Sequence, residues 1–168
     1  METTRYSYNE ILDKFHTFDQ LLQKSENTPY DRRLVYGLNK NLKIAQDQLK
    51  ELGEQLKEFP DSYQKYIEEL QQLGLECGGE SETDDNGIIS VKINVDGFDT
   101  EKFEKESKSL KEKHSNTLKY IHKINTENDK FKNEKLAEVN WYILSLDWFP
   151  EELSYKDLPF SIMEIIKE

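Results

Sequence analysis

Apolar residues recur along most of this chain at the three- and four-residue intervals that place them on one face of a helix. After a capping box formed by Ser7 and Glu10, this spacing predicts a first helix over residues 7–24. The clearest repeat lies in residues 29–74 and has the spacing of a coiled-coil seam. Its first members are Val35, Leu38, Leu42, Ala45, Leu49, Leu52, Leu56 and Phe59. Because proline removes a helical hydrogen bond, we expect this long helix to be kinked near Pro60.

The helical pattern stops in residues 75–98, which predict a small β element. An Asn-Gly pair favours a tight turn, and the residues of 88–95 alternate between apolar and polar, as in a half-buried strand. A returning helix is predicted over residues 99–135. Asp99 is its expected N-cap, and Phe98 and Phe103 have the spacing of a hydrophobic staple across the helix start.

The remaining residues, 136–168, are rich in Trp, Tyr, Phe and Leu. So much aromatic surface is not left exposed by a pair of helices, so we expect this tail to pack against the first helix as a helical head. The sequence therefore predicts a single domain, 1–168, that is mainly α with a small β element. Residues 29–74 and 99–135 are expected to form a long antiparallel coiled-coil hairpin, with a β turn at the reversal and a head from 7–24 and 136–168.

Charge narrows the range of functions. The chain has 168 residues, of which 34 are acidic and 23 are basic, and its net charge is −11. No Lys/Arg cluster is present to neutralise phosphates, so direct binding of nucleic acid is not expected. An acidic excess promotes solubility, and it also complements a basic groove on a partner. The chain has no signal peptide and no apolar run near the roughly 20 residues of a membrane span, which predicts a cytoplasmic protein without membrane contact.

Candidate chemistry is sparse. If Gly87 took the sixth position of a calcium-binding EF-hand loop, Ile93 would occupy the twelfth, where a bidentate Glu is required. Neither the three histidines nor the single cysteine, Cys77, lies in a spacing typical of a metal site or an activated nucleophile. We therefore expect no enzyme, no cofactor and no metal site.

Two features are candidates for binding a partner protein. The strand of the β element has an edge that another chain can extend, and the tail carries the aromatic residues enriched in binding hot spots. The structural alternatives are a solvated hairpin and an aromatic core of the head. The candidate partner-binding residues are Asp84, Asp85, Ile89, Val91, Ile93, Trp141, Trp148 and Phe149.

The order of segments carries a resemblance. RRLVYGLNKNL (residues 32–42) is followed by the acidic Asn-Gly turn, VDGFD (95–99), FEKESKSL (103–110) and a tail rich in Leu and Pro. This layout resembles small, uncharacterised proteins encoded by bacteriophages. The resemblance implies a phage or mobile-element origin and a location in the host cytoplasm, and such accessory proteins are often inhibitors of host systems. The chain also resembles prefoldin subunits, in which two long helices flank β-hairpins, although its first helix and aromatic tail depart from that pattern.

These observations favour a non-enzymatic protein that binds another protein. The sharper hypothesis is an inhibitor of a host defence system, such as an anti-CRISPR protein, whose acidic surface occupies the nucleic-acid-binding surface of a basic host protein. The alternative is a prefoldin-like chaperone or a structural coiled-coil protein of phage assembly. Polar residues at heptad positions within residues 99–135 are compatible with a homodimer.

Overall fold

A computed structural model describes four stretches of the chain. Within them the protein is mainly helical, as predicted, and its strands form three small two-stranded sheets. The chain divides into two compact units, one made of Met1–Leu56 with Asn128–Glu168 and the other of Lys57–Glu127. The described stretches are residues 4–26, 29–84, 87–150 and 158–167.

The first unit is built on two helices joined by a short connection. The capping box predicted for the first helix is confirmed, since Ser7 Oγ accepts from the Glu10 amide and the Glu10 carboxylate accepts from the Ser7 amide. The next helix begins a few residues later than predicted, because the Asp31 side chain caps it by accepting from the Arg33 amide at 2.8 Å. The elements are β1 (Arg5–Ser7), α1 (Tyr8–Ser25) and α2 (Arg32–Gly53).

The predicted long helix over 29–74 is interrupted before Pro60. α2 ends at Gly53, and α3 (Asp61–Glu76) begins directly after Pro60, whose backbone is extended (φ −72°, ψ 154°). The residue preceding a proline is disfavoured in helical conformation, which accounts for a break on its N-terminal side. A kink within one long helix was predicted near Pro60, whereas residues 54–60 separate two helices.

The returning helix is also divided, at His114. α4 (Thr100–Lys113) and α5 (Ser115–Glu134) flank this residue, and backbone hydrogen bonds from His114 to Leu110 and from Leu118 to His114 continue on both sides. The start of α4 is as predicted. The Asp99 side chain accepts from the Lys102 amide at 3.0 Å, and the Phe98 and Phe103 rings lie 5.4 Å apart.

The helices pair differently from the predicted hairpin. α2 has α1 as its principal helical neighbour, and α3 packs on α4. The seam of α2 is buried at Leu38, Ala45 and Leu52, but it faces α1 and the C-terminal tail. One coiled coil between residues 29–74 and 99–135 is therefore not confirmed.

The described part of the tail packs on α1 and α2, but the predicted helical head is not confirmed. This part consists of the short strands β4 (Leu136–Glu138), β5 (Leu144–Ser145) and β6 (Ile166–Lys167), with 3-10 helices at Leu146–Trp148 and Phe160–Ile165. β4 pairs antiparallel with β1, and β5 pairs parallel with β6. The apolar side chains of the tail complete the main core of the first unit.

The second unit contains α3, α4, the first part of α5 and a β-hairpin. α3 ends in a Schellman motif, in which the Gly79 amide donates to the Gly74 carbonyl and the Gly78 amide to the Leu75 carbonyl. Gly78 adopts φ +92°, a conformation that glycine reaches without steric penalty. The hairpin then pairs β2 (Glu80–Thr83) with β3 (Ile89–Lys92) in antiparallel register.

Candidate functional site

The negative charge of the chain is concentrated in one segment of the second unit. Residues 58–99, here called the acidic segment, contain eleven Asp and Glu and two Lys, so they carry −9 of the net −11. Apart from the half-buried Glu69, every carboxylate that the structure describes in this segment is exposed. The segment consists mainly of α3 and the hairpin. The whole second unit, residues 57–127, contains 16 acidic and 10 basic residues, so the lysines of α4 and α5 reduce its net charge to −6.

α3 and α4 run antiparallel. The Asp99 amide donates to the Cys77 carbonyl at one end of the pair, and Lys113 bonds Glu69 towards the other. Between them lies an open groove of about 620 Å³, here called the α3–α4 groove. Its lining residues are Glu68, Glu69, Gln72, Leu73 and Glu76 of α3 and Glu106, Ser109, Leu110 and Lys113 of α4.

The two walls of this groove have the same spacing. On α3 the lining residues from Glu69 to Glu76, and on α4 those from Glu106 to Lys113, follow the interval i, i+3, i+4, i+7 that defines one face of a helix. Leu73 is buried and Leu110 is half-buried, and both line the groove. The groove therefore has an apolar floor edged by four carboxylates and one ammonium.

One carboxylate of the groove is held by internal partners. Glu69 Oε2 accepts from Lys113 Nζ at 2.7 Å and lies 3.1 Å from His114 Nε2. These hydrogen bonds, with that from Lys113 the stronger, lower the pKa of Glu69. The side chain stays ionised well into the acidic range, so the groove keeps this charge at neutral pH.

The contacts of Glu69 predict a pH-dependent contribution to stability. Because its folded pKa is lower than its ordinary value of 4.5, ionised Glu69 stabilises the fold above that value, and the stabilisation is lost as pH falls through the folded pKa. We expect Glu69→Gln to lower the urea midpoint at pH 7, and this deficit to shrink as the pH falls below 4.5 through the folded pKa. Glu112→Gln, an exposed change on α4, should have little effect at any pH in this range; a deficit of Glu69→Gln that does not shrink on acidification would contradict the assignment.

The predicted hairpin residues lie at the tip and on one strand of this unit. Asp84 closes the turn, where its carboxylate accepts from the Ile88 amide at 2.8 Å, and Asp85 lies outside the described residues. Ile89 and Ile93 are exposed, at 57% and 42%, whereas Val91 is half-buried against Gly74. The strand is shorter than the predicted 88–95, and its polar partner strand carries no apolar alternation that could have predicted it.

The outer edge of β3 is partly covered by the protein itself. The Asp84 amide donates to the Ile88 carbonyl, so alternate residues of β3 face β2, and Ile89 and Val91 direct their peptide groups away from it. The Ile89 carbonyl accepts from Gln71 Nε2 of α3 at 2.7 Å. One of the outward acceptors is thus used internally, which makes this edge a poorer template for an added strand.

The aromatic candidates lie in the first unit. Phe149 is buried in the main core, and the Trp141 ring packs against Tyr6 and Phe18 at centroid distances of 5.8 and 5.6 Å. Trp148 is half-buried, with the Arg33 guanidinium 5.5 Å from its ring. These positions fit the structural alternative for Trp141 and Phe149, since neither presents its ring as an exposed anchor.

A partly buried polar cluster holds the tail on α1. Lys14 is 5% exposed; its ammonium lies 2.6 Å from the Glu164 carboxylate, donates to the Ser161 carbonyl and sits 4.9 Å from the centre of the Tyr6 ring. Burial, followed by a hydrogen bond with Glu164, raises the pKa of Tyr6 to about 12. The phenol therefore stays protonated at neutral pH, and we assign this cluster a structural role.

The α3–α4 groove is a candidate site that the sequence analysis did not predict. Its signal is present in the chain, because carboxylates flank Leu73 and Leu110 at helical spacing, but it becomes a site only when the two faces are adjacent. Within the described stretches, no group of three His, Cys, Asp or Glu is placed to hold a metal ion. Nor do the helices described there include one with the length and apolar character of a membrane span.

Comparison with known proteins adds no family to this picture. Neither the protein-family models, the curated proteins nor the solved structures that were searched give a significant match to the chain.

Proposed function

We propose that this chain is a non-enzymatic protein that binds a basic partner protein through its acidic segment. In the sharper form of the proposal, it inhibits a host defence system in the manner of an anti-CRISPR protein, by occupying a nucleic-acid-binding surface. The observation that supports this proposal is that residues 58–99 carry −9 of the net −11 charge and that their described carboxylates, apart from Glu69, are exposed. A phage or mobile-element origin follows from the resemblance in layout alone and belongs to the same proposal.

Electrostatics supports a basic partner over a neutral one. Charges that lie within a Debye length of about 8 Å reinforce each other at physiological salt, so a compact acidic surface attracts a basic groove more strongly than scattered charge would. A surface that binds nucleic acid must carry Lys and Arg for phosphate contacts. The same cations are available to the carboxylates of this chain when the nucleic acid is absent.

The test is the binding of the full chain to purified CRISPR effector complexes, measured by biolayer interferometry. We expect at least one complex to bind, with an affinity that falls steeply between ~50 and ~300 mM salt, and target DNA to compete. Replacing Glu68, Glu76 and Glu106 with Gln should weaken binding about tenfold, on the order of 1.4 kcal/mol for three exposed charge contacts.

A matched control separates local charge from net charge. Glu26, Glu51 and Glu54 are exposed carboxylates of the first unit, and their replacement with Gln changes the net charge from −11 to −8, as the first triple variant does. Binding of this control should equal that of the wild type. Equal losses in both variants, or binding that is insensitive to salt, would count against an acidic surface as the binding site.

A second function is favoured by a different observation. Ile88, Ile89 and Ile93 of the hairpin are 64%, 57% and 42% exposed, and exposed apolar residues at a hairpin suit a chaperone or an assembly protein. Preferential binding of unfolded chains, with no effect of salt, would favour this function over the inhibitor.

A further inference from the structure

The α3–α4 groove has the shape and chemistry of a site for one further helix. We propose that it binds a basic amphipathic helix of the partner protein, with apolar residues of that helix on Leu73 and Leu110 and its Lys or Arg side chains against Glu68, Glu76 and Glu106. This inference rests on the proposed function and names the part of the partner that the acidic segment recognises.

The dimensions of the groove fit about two helical turns. Each wall spans seven residue steps, from Glu69 to Glu76 and from Glu106 to Lys113, which is about 10 Å at 1.5 Å per residue. The volume of about 620 Å³ lies in the range of pockets that enclose a ligand. Two antiparallel helices with a continuous depression between them present the geometry of helix-in-groove recognition, in which anchors at i, i+3, i+4 and i+7 enter the groove.

The apolar floor distinguishes a helix with an apolar face from a merely basic segment. Leu110 is half-buried and Leu73 borders the groove from a buried position, so side chains laid over them would remove apolar surface from water. A fully polar basic peptide would form ion pairs with the carboxylates but would leave the apolar floor of the groove exposed to water. The occupant therefore needs an apolar stripe in addition to positive charge.

The charges of the walls set the sign of the occupant. Four of the five ionisable residues that line the groove are Glu, and the fifth, Lys113, is bound to Glu69 at 2.7 Å. Lys113 opposes a cationic ligand and also competes for Glu69. Its removal should strengthen binding of a basic helix, which is an effect that a purely structural role of Lys113 would not produce.

Features at the hairpin end hold the two walls in place before a ligand arrives. The Asp99 amide donates to the Cys77 carbonyl at 2.8 Å, and the ring contact between Phe98 and Phe103 fixes the entry of the chain into α4. A groove whose walls are already positioned loses less conformational entropy when it binds.

The test uses two labelled 14-residue peptides of identical Leu, Lys and Ala composition and the full chain. One peptide places its leucines at i, i+3, i+4, i+7 and i+11, and the other distributes them around the helix. By fluorescence anisotropy, we expect the amphipathic peptide to bind about tenfold more tightly or better, because only it can bury its leucines on the groove floor. A third peptide, with Glu in place of Lys, should not bind.

Variants locate the binding in the groove. Leu110→Gln should abolish the preference for the amphipathic peptide, and Lys113→Gln should tighten its binding about two- to fivefold. Lys119→Gln, which changes the net charge equally at an exposed position of α5, should leave the affinity unchanged. Circular dichroism of each variant confirms that the helices are retained.

The outcomes separate this inference from the proposed function. Equal affinity of the two Lys peptides, or no binding of either, overturns the helix proposal, whereas the acidic segment can still bind a CRISPR effector complex. Amphipathic binding that ignores Leu110→Gln and Lys113→Gln also overturns it, because the site would then lie elsewhere. Loss of effector binding alone would refute the proposed partner and leave the peptide preference of the groove intact.

Discussion

Replacing Phe18 with alanine is expected to lower the free energy of unfolding by about 3–5 kcal/mol, the range for truncating a buried aromatic side chain. Phe18 is 0% exposed and lies in the main core of the first unit, where its ring packs 5.6 Å from that of Trp141. The core contains residues of α1, α2 and the tail, so a cavity there weakens three segments at once. Urea unfolding followed by circular dichroism measures the change.

Phe160 provides the matched control for this prediction. It is 90% exposed, so Phe160→Ala removes the same chemical group without creating a cavity, and we expect a change within about 0.5 kcal/mol. Similar losses in the two variants would mean that Phe18 does not occupy the centre of the core. A large loss in Phe160→Ala alone would mean that the tail packs differently on α1.

The parts of the fold that the sequence predicted depend on interactions between near neighbours. Ser7 and Glu10 lie three residues apart, and Phe98 and Phe103 lie on either side of one helix start. The capping box and the hydrophobic staple can therefore be recognised in the sequence without knowing the fold. Pro60 acts in the same local way on residue 59, but it does not account for the end of α2 at Gly53. Local steric and hydrogen-bonding rules were sufficient for the capping box and for the start of α4.

The pairing of the helices could not be predicted in the same way. The heptad pattern of α2 indicates that one face of the helix is buried. It does not indicate which segment buries that face, because α1, α4 and the tail all contain apolar residues that could pack on it. Asn41 illustrates the difficulty, since it falls between apolar positions of α2 and is nevertheless 0% exposed. Its burial depends on the backbone of Tyr142, which is about a hundred residues away in the sequence.

The same limit applies to the candidate site. The exposed carboxylates of α3 and α4 resemble any solvated helix face when each helix is considered alone. They form a groove because the hairpin between them is short and because Gly74 and Gly79 let Val91 approach α3; a Cβ on Gly79 would lie 2.8 Å from Val91 Cγ1. The site is therefore a consequence of how the hairpin packs.

Replacing Asn41 with alanine is expected to lower the free energy of unfolding by about 2–4 kcal/mol, because two partly buried backbone groups would lose their partners at about 1–3 kcal/mol each. Asn41 Nδ2 donates to the Tyr142 carbonyl at 2.9 Å, and Asn41 Oδ1 accepts from the Tyr142 amide at 2.7 Å. The side chain thus binds the tail to α2 as a neighbouring strand would. Urea unfolding measures the loss, with Asn39→Ala as the exposed control on the same helix.

Asn41→Asp tests whether these two hydrogen bonds, and not the volume of the side chain, carry the effect. Aspartate keeps the acceptor for the Tyr142 amide, but its ionised carboxylate cannot donate to the Tyr142 carbonyl. Burial raises the pKa of such a carboxyl, so the folded state binds a proton more tightly than the unfolded state. The stability of Asn41→Asp relative to wild type should therefore fall as pH rises from about 4, the unfolded pKa, through the higher folded pKa, and recover on acidification. A deficit that does not vary with pH would contradict the paired hydrogen bonds and leave packing as the cause.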